Sequence, residues 1–210
     1  MVLFGLDPSG EGYDRTGFTV FERHELELGE PTDPDYQVEH AFMLRHAERL
    51  DREIEFPDVM ALMLSYHKKM AKLTPKHISG HKFIVETNGV GYPFANMLRR
   101  LTGSDPVVVM PVVTTAALDA RPHDDEGRPR MPRMAGLDLF RVMMQLQRVM
   151  VTKGAKGGQL LLSEMRSMVY KGQRPEAAEG AHDDLVMSAT LAIWAGVRLI
   201  APMVRAQRIN

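Results

Sequence analysis

The run from Leu185 to Val204 constrains this chain most, because Arg198 is its only charged side chain in twenty positions. A stretch of that length could span a bilayer. Ser188, Thr190, Arg198 and Pro202 interrupt its apolar character, and the pattern predicts a helix buried on most of its sides, with no membrane partner. Two adjacent acids, Asp183 and Asp184, stand directly before the run. One acid at a helix start is accounted for by the free N–H groups and the positive end of the helix dipole. The second calls for a further reason.

The 210 residues suit one domain spanning positions 1–210, and 44% hydrophobic content supplies a full core. Cysteine is absent, which excludes a disulfide framework and cysteine zinc sites and fits a reducing cytoplasm. The start "MVLFGLD" lacks a basic segment and meets Asp7 at once, unlike a secretory leader. Net charge is −1, so a bulk basic nucleic-acid binder is excluded. The charge is unevenly spread: residues 1–60 hold 15 acids and 5 bases, whereas residues 121–171 hold 10 bases and 5 acids. An asymmetry of this size marks a candidate anion-binding face.

Periodicity predicts a mixed α/β chain. "MVLFGLD" is a strand buried on both faces and ending on an acid, "PSGEGYDRT" a turn, and "GFTVFERHELELGE" one or two strands of a hairpin. A helix is expected from about Pro57 to Leu73, with Val59, Leu62, Met63, Tyr66 and Met70 on one face. "HKFIVE" is a short strand ending on Glu86, "YPFANMLRRLTG" a helix, and "PVVVMPVV" another strand. Residues 120–134 read as a mobile basic loop, "LDLFRVMMQLQRVMV" and "GQLLLSEMRSMVY" as helices. His77 and His81 have helical metal-ligand spacing, but Pro75 and Gly80 predict an exposed loop for them.

Set on that map, the acids fall into a pattern. Asp7 and Glu86 end apolar strands, and Asp183–Asp184 opens the last helix. Ends of buried strands in an open α/β sheet are where ligands bind. Carboxylates there are costly unless paired or bound to a cation. Three well-separated acids suit two hard Mg²⁺ or Mn²⁺ ions, which take oxygen ligands and leave positions for water and phosphate. Such a pair stabilises both oxygens of an in-line phosphodiester displacement. On a 3.6-residue period Asp184 shares a face with Ser188, Leu191 and Ala195, the slimmer face. Asp184 is therefore the favoured ligand, and Asp183 a cap or outer partner. His182 beside them could meet phosphate or belong to the cap.

The ordered segments "GLDPSGEGYDRTGFTV", "FIVETNGVGYPFANMLRRL" and "HDDLVMSATLAIWAG" resemble the nuclease domain of the tailed-phage terminase large subunit, over Leu3 to about Val197. That domain has an RNase H-like fold related to RuvC-type resolvases. The resemblance implies a central mixed sheet of five or more strands flanked by helices, its first three strands antiparallel and two more joining alongside the first. It also implies metal-dependent endonucleolytic cutting of double-stranded DNA during viral genome packaging, in the host cell cytoplasm. The ATPase domain, portal and small subunit of the packaging machine are the partners implied. Asp7 and Glu86 match the first two metal ligands, the Asp183–Asp184 pair the third, and Asp14 an acid many members carry in the Gly turn. Where many relatives have another Asp three residues after the pair, this chain has Met187. No G-x-x-x-x-G-K-[ST] loop is present, so the packaging ATPase is expected to be absent.

The DNA contacts expected from charge are Arg121, Arg128, Arg130 and Arg133 in the basic loop, with Lys153 and Lys156 flanking a Gly-rich turn. They would grip phosphates without reading sequence. Three other functions compete: a RuvC-like or RNase H-like nuclease on structured or hybrid substrates, an actin-like nucleotide-binding domain, and a docking module whose acids only cap helices. Mn²⁺ would stabilise the nucleases, ATP the second, and neither the third.

Overall fold

Alternation along the first strand, β1 (Val2–Asp7), sorts the interior into two cores. Val2, Phe4 and Leu6 enter one, and Leu3 enters the other. The computed structural model describes residues 1–8, 15–30, 37–51, 54–73, 80–103, 107–116, 121–171, 174–179 and 181–200. After β1 come β2 (Gly17–Leu28), β3 (Gln37–Arg49), α1 (Phe56–Leu73), β4 (His81–Glu86), α2 (Gly91–Leu101) and β5 (Val107–Thr115). The chain continues through β6 (Arg130–Pro132), α3 (Arg133–Gln145), β7 (Val149–Lys156), α4 (Gly158–Ser167), β8 (Met168–Lys171) and β9 (Arg174–Ala177). Helix α5 (Asp184–Ala195) closes the fold and runs into a π-helical turn, Gly196–Ile200.

Seven strands form one sheet in the order β6-β5-β4-β1-β2-β3-β7, and β8 pairs with β9. The first three strands are antiparallel, and β4 and β5 join in parallel beside β1, as the resemblance implies. β6 is parallel to β5 and β7 to β3. Only β2 of this sheet therefore runs against the rest. The carboxyl ends of the other six strands lie along one edge, the edge where an α/β sheet presents its ligand-binding side chains.

Helices α1 and α2 cover the face of Phe4, Phe18 and Phe83 with Val59, Met63, Phe94 and Leu98. The opposite face is covered by α5, all of whose twelve residues are buried. It reaches the sheet through two glycines. A Cβ on Gly5 would strike the Ser188 carbonyl, and one on Gly17 the Asp184 carbonyl. Ser188 Oγ lies 2.8 Å from Thr19 Oγ1 and 3.0 Å from the Gly5 carbonyl, so the contact is polar and satisfied at its centre. No described helix is long and apolar enough to cross a membrane.

Five expectations need correction. The helix expected over 137–151 ends at Gln145, and β7 follows. Gln147 takes a left-handed φ of 56°, and the β-branched Val149 and Val151 pair with Phe42 and Leu44 on β3, a tertiary pairing that overrides helical periodicity. Lys153 and Lys156 consequently lie on β7, with Lys156 at its end beside the left-handed turn at Gly157. The 120–134 segment is not loop throughout: Arg130–Pro132 pair with β5, and Arg133 begins α3. His81 is not an exposed loop residue. It opens β4, is buried, and places its Nδ1 2.6 Å from Nδ1 of His67, while His77 lies outside the described residues. The helix expected over 158–170 stops at Ser167, and Met168–Lys171 pair as β8 with β9. β3 and β9 come from stretches whose pattern predicts no element.

Burial, then the neighbouring His67, holds the His81 imidazole down at about 4. An unfolded His titrates near 6.5, so the unfolded chain binds more protons between these values. Neutral His81 thus supports the fold above about pH 6.5, and that contribution is lost as pH falls through 4. The stability slope attributable to one such proton approaches about 1.4 kcal/mol per pH unit. Urea midpoints between pH 7 and pH 4 should fall less steeply in His81→Gln than in the wild type. Equal slopes would remove His81 from the acid transition.

Candidate active site: an acid cluster at the carboxyl end of the sheet

The alternation that sorts the cores also aims the acids. Leu3 and Gly5 face α5, so Asp7 on the same strand does too. On β4, Phe83 and Val85 enter the other core and Ile84 faces α5, which turns Glu86 to the α5 side. Leu6 pairs with Val85 across parallel strands, leaving Asp7 and Glu86 side by side at the sheet end. Asp7 also pairs with Gly17 of β2, the glycine over which the Asp184 backbone rests. Local strand pattern and one close helix contact thus bring the three acids together.

Asp184 is 5% exposed and opens α5 on the Ser188 face, the face expected to approach the sheet. His182 Nδ1 stands 3.6 Å from its Oδ2. Asp183 occupies the N-cap position, yet its side chain caps nothing. Its carboxylate instead accepts from the Arg133 guanidinium. The helix start is capped from outside: Glu164 of α4 accepts the Leu185 N–H through Oε2 at 2.9 Å, with Arg49 Nη1 3.5 Å from Oε1. Burial lifts the Glu164 carboxyl to about 7 against the opposing pull of that N–H and of Arg49.

Burial raises the Asp7 carboxyl well above the usual range, and Glu86, Asp184 and Asp183 push it the same way, with Arg133 opposing. Glu86 is likewise raised by burial, and the Thr114 hydroxyl that donates to Oε1, together with Arg133, offsets the rise. Asn88 steadies Thr114, its amide donating to the Thr114 carbonyl at 3.0 Å and hydroxyl at 2.7 Å. The cluster therefore concentrates oxygen donors and negative charge around one fixed cation. That donor set fits hard divalent ions, and Asp7, Glu86 and Asp184 are the residues that would hold them. Among the described residues no three acidic or imidazole side chains are grouped closely enough to hold an ion as they stand.

Asp14 lies outside the described residues. Arg121 is exposed, and Arg130 is half-buried on β6. Arg128 is bound by Asp124 at 2.6 Å and Glu126 at 3.4 Å, over the Tyr92 ring at 4.7 Å. Lys153 is exposed on β7, and Lys156 pairs with Glu48 at 2.6 Å. The arginines and the two lysines flank opposite edges of the sheet, the first beside β6 and the second on β7. Sequence pattern missed Thr114, Glu164 and the link from Arg133 to the acids. Each acts across 21 to 50 positions of chain, where no local periodicity connects them.

Unequal effects are expected at the paired acids. Asp184→Ala should remove metal-dependent cleavage, whereas Asp183→Ala should leave it largely in place and cost at most about 1 kcal/mol, the worth of a partly exposed ion pair. An inactive Asp183→Ala protein beside an active Asp184→Ala protein would reverse the assignment. Glu164→Ala should lower stability by about 1–3 kcal/mol in urea unfolding, because it uncaps a buried helix start, and Glu164→Gln should recover part of the loss. Equal stability of all three proteins would show that α5 needs no external cap.

No protein-family model and no curated protein matches the sequence. Solved structures do match. The human cytomegalovirus terminase nuclease domain superposes with a TM-score of 0.61 at 14% identity, over 96% of this chain and 84% of that one. The same domain soaked with manganese gives 0.60 at 13% identity, with the same coverage. The chain has the RNase H-like α/β fold of a terminase nuclease domain.

Proposed function

We propose that this chain is a metal-dependent endonuclease that hydrolyses double-stranded DNA during viral genome packaging. The observation that carries this reading is the gathering of Asp7, Glu86 and Asp184 at the carboxyl end of a sheet with the terminase-nuclease fold. Two Mg²⁺ or Mn²⁺ ions, when bound, would stabilise the attacking and leaving oxygens of an in-line phosphodiester displacement. Asp7, Glu86 and Asp184 would hold those ions. Thr114 orients Glu86 through its hydroxyl, and Glu164 fixes the helix that carries Asp184.

The charge layout supports a duplex as substrate. β6 and β7 bound the sheet, six strand spacings apart, or about 29 Å. Arg121, Arg128, Arg130 and Arg133 flank the acids on one side, and Lys153 and Lys156 flank them on the other. That breadth matches about eight base pairs of a duplex laid across the sheet end, at 1.7 Å of axis per phosphate charge. Contacts of this kind track backbone and read no sequence. Such a domain, acting in the host cell cytoplasm beside a packaging ATPase, portal and small subunit, binds DNA weakly on its own and cuts where the motor delivers it.

Asp7→Asn keeps side-chain shape while removing the charge that holds a cation. It is expected to abolish Mn²⁺-dependent nicking of supercoiled plasmid and leave circular dichroism unchanged. Nicking at the wild-type rate would overturn the metal assignment. A wild-type protein stabilised by ATP and indifferent to Mn²⁺ would overturn the nuclease.

A further inference from the structure

Arg133 stands among carboxyl groups where the proposed ions belong. It is the first residue of α3, and the pairing of Arg130–Pro132 with Val113–Thr115 delivers it to the sheet end that carries Glu86. Its guanidinium bonds Asp183, and its field reaches Asp7 and Glu86. Arginine keeps its charge at any accessible pH, so the guanidinium itself cannot be neutralised to end this pairing. While the carboxyls stay ionised, another cation is what can replace it. The side chain is 37% exposed, which leaves it an outward path.

We propose that Arg133 is the resident counter-ion of the acid cluster, that divalent ions displace it, and that the displaced guanidinium then holds a backbone phosphate of the DNA. The proposal rests on the metal-dependent nuclease reading. Divalent charge entering among Asp7, Glu86 and Asp184 repels the guanidinium and cancels the attraction of Asp7 and Glu86 for it, which leaves the partly exposed Asp183 alone to hold it. Once released, its planar fork matches two phosphate oxygens. Metal and DNA then bind cooperatively, because each takes one side of an exchange that the other completes. Without metal the arginine is engaged with Asp183 and unavailable to phosphate, so the cluster repels DNA.

The test is isothermal titration of Mn²⁺, without DNA, into the wild type, Arg133→Gln and Arg133→Lys. Removing the competing cation should tighten Mn²⁺ binding about three- to tenfold in Arg133→Gln, and Arg133→Lys should stay near the wild type. With Ca²⁺ in place of Mn²⁺, Arg133→Gln should bind duplex DNA at least about threefold more weakly. Equal or weaker Mn²⁺ binding by Arg133→Gln would overturn the proposal while leaving the nuclease standing. A wild type that binds no Mn²⁺ would overturn both. A measurement on the unaltered protein covers a variant that fails to fold. The Arg133 Nη2–H signal in nuclear magnetic resonance, from the nitrogen that bonds Asp183, should exchange faster with water once Mg²⁺ is added. Unchanged protection would overturn the displacement.

Discussion

Helix α5 touches the sheet at backbone distance, and the site depends on that contact. Gly5 and Gly17 offer no side chain where the Ser188 and Asp184 carbonyls press in. Ser188 fills the remaining gap with hydrogen bonds to Thr19 and the Gly5 carbonyl. The position of Asp184 is therefore set by main chain on main chain and does not depend on a flexible side chain spanning a gap. The rest of α5 supports this placement: Leu185, Leu191 and Ile193 are fully buried, each worth about 1.5–3 kcal/mol of transfer free energy.

A cost accompanies this placement. Burying several carboxyls at one sheet end is unfavourable unless a cation or proton compensates. The fold answers with partners drawn from separate elements: Thr114 from β5 for Glu86 and Arg133 from α3 for Asp183, while Glu164 from α4, a further buried carboxyl, is answered by the Leu185 amide and Arg49. None is redundant, because each meets a different group. The cluster is thereby held in a tense but ordered state, suited to accepting positive charge. Local stability is given up at the site and supplied by the two cores on either side of the sheet.

Much of this was legible in residue order. β1 and β4 are short apolar runs ending in acids, and that pattern was enough to put Asp7 and Glu86 at strand ends. Their common face came from how the two cores divide the strands. The 3.6-residue period of α5 separated Asp184, on the Ser188 face, from Asp183. Helix α1 followed from the spacing of Val59, Met63 and Met70. Pattern failed where a partner decided the outcome. Residues 149–151 carry helical periodicity, yet an open edge of β3 took them as a strand. His81 sits beside glycine and proline, yet β1 and α1 enclose it.

By itself the sequence determined which residues are acidic, which segments are apolar, which acids end strands, and which face of the last helix Asp184 would occupy. These are local properties, governed by the chirality of the chain and the periods of its regular structures. Only the tertiary structure decided what each acid meets. Asp183 turns to an arginine 50 positions away, and the helix cap comes from Glu164 in place of the adjacent aspartate. Such pairings are set by the crossing of elements that packing brings together, and the energy of a charge depends on every neighbour within a few ångströms, whatever its distance along the chain.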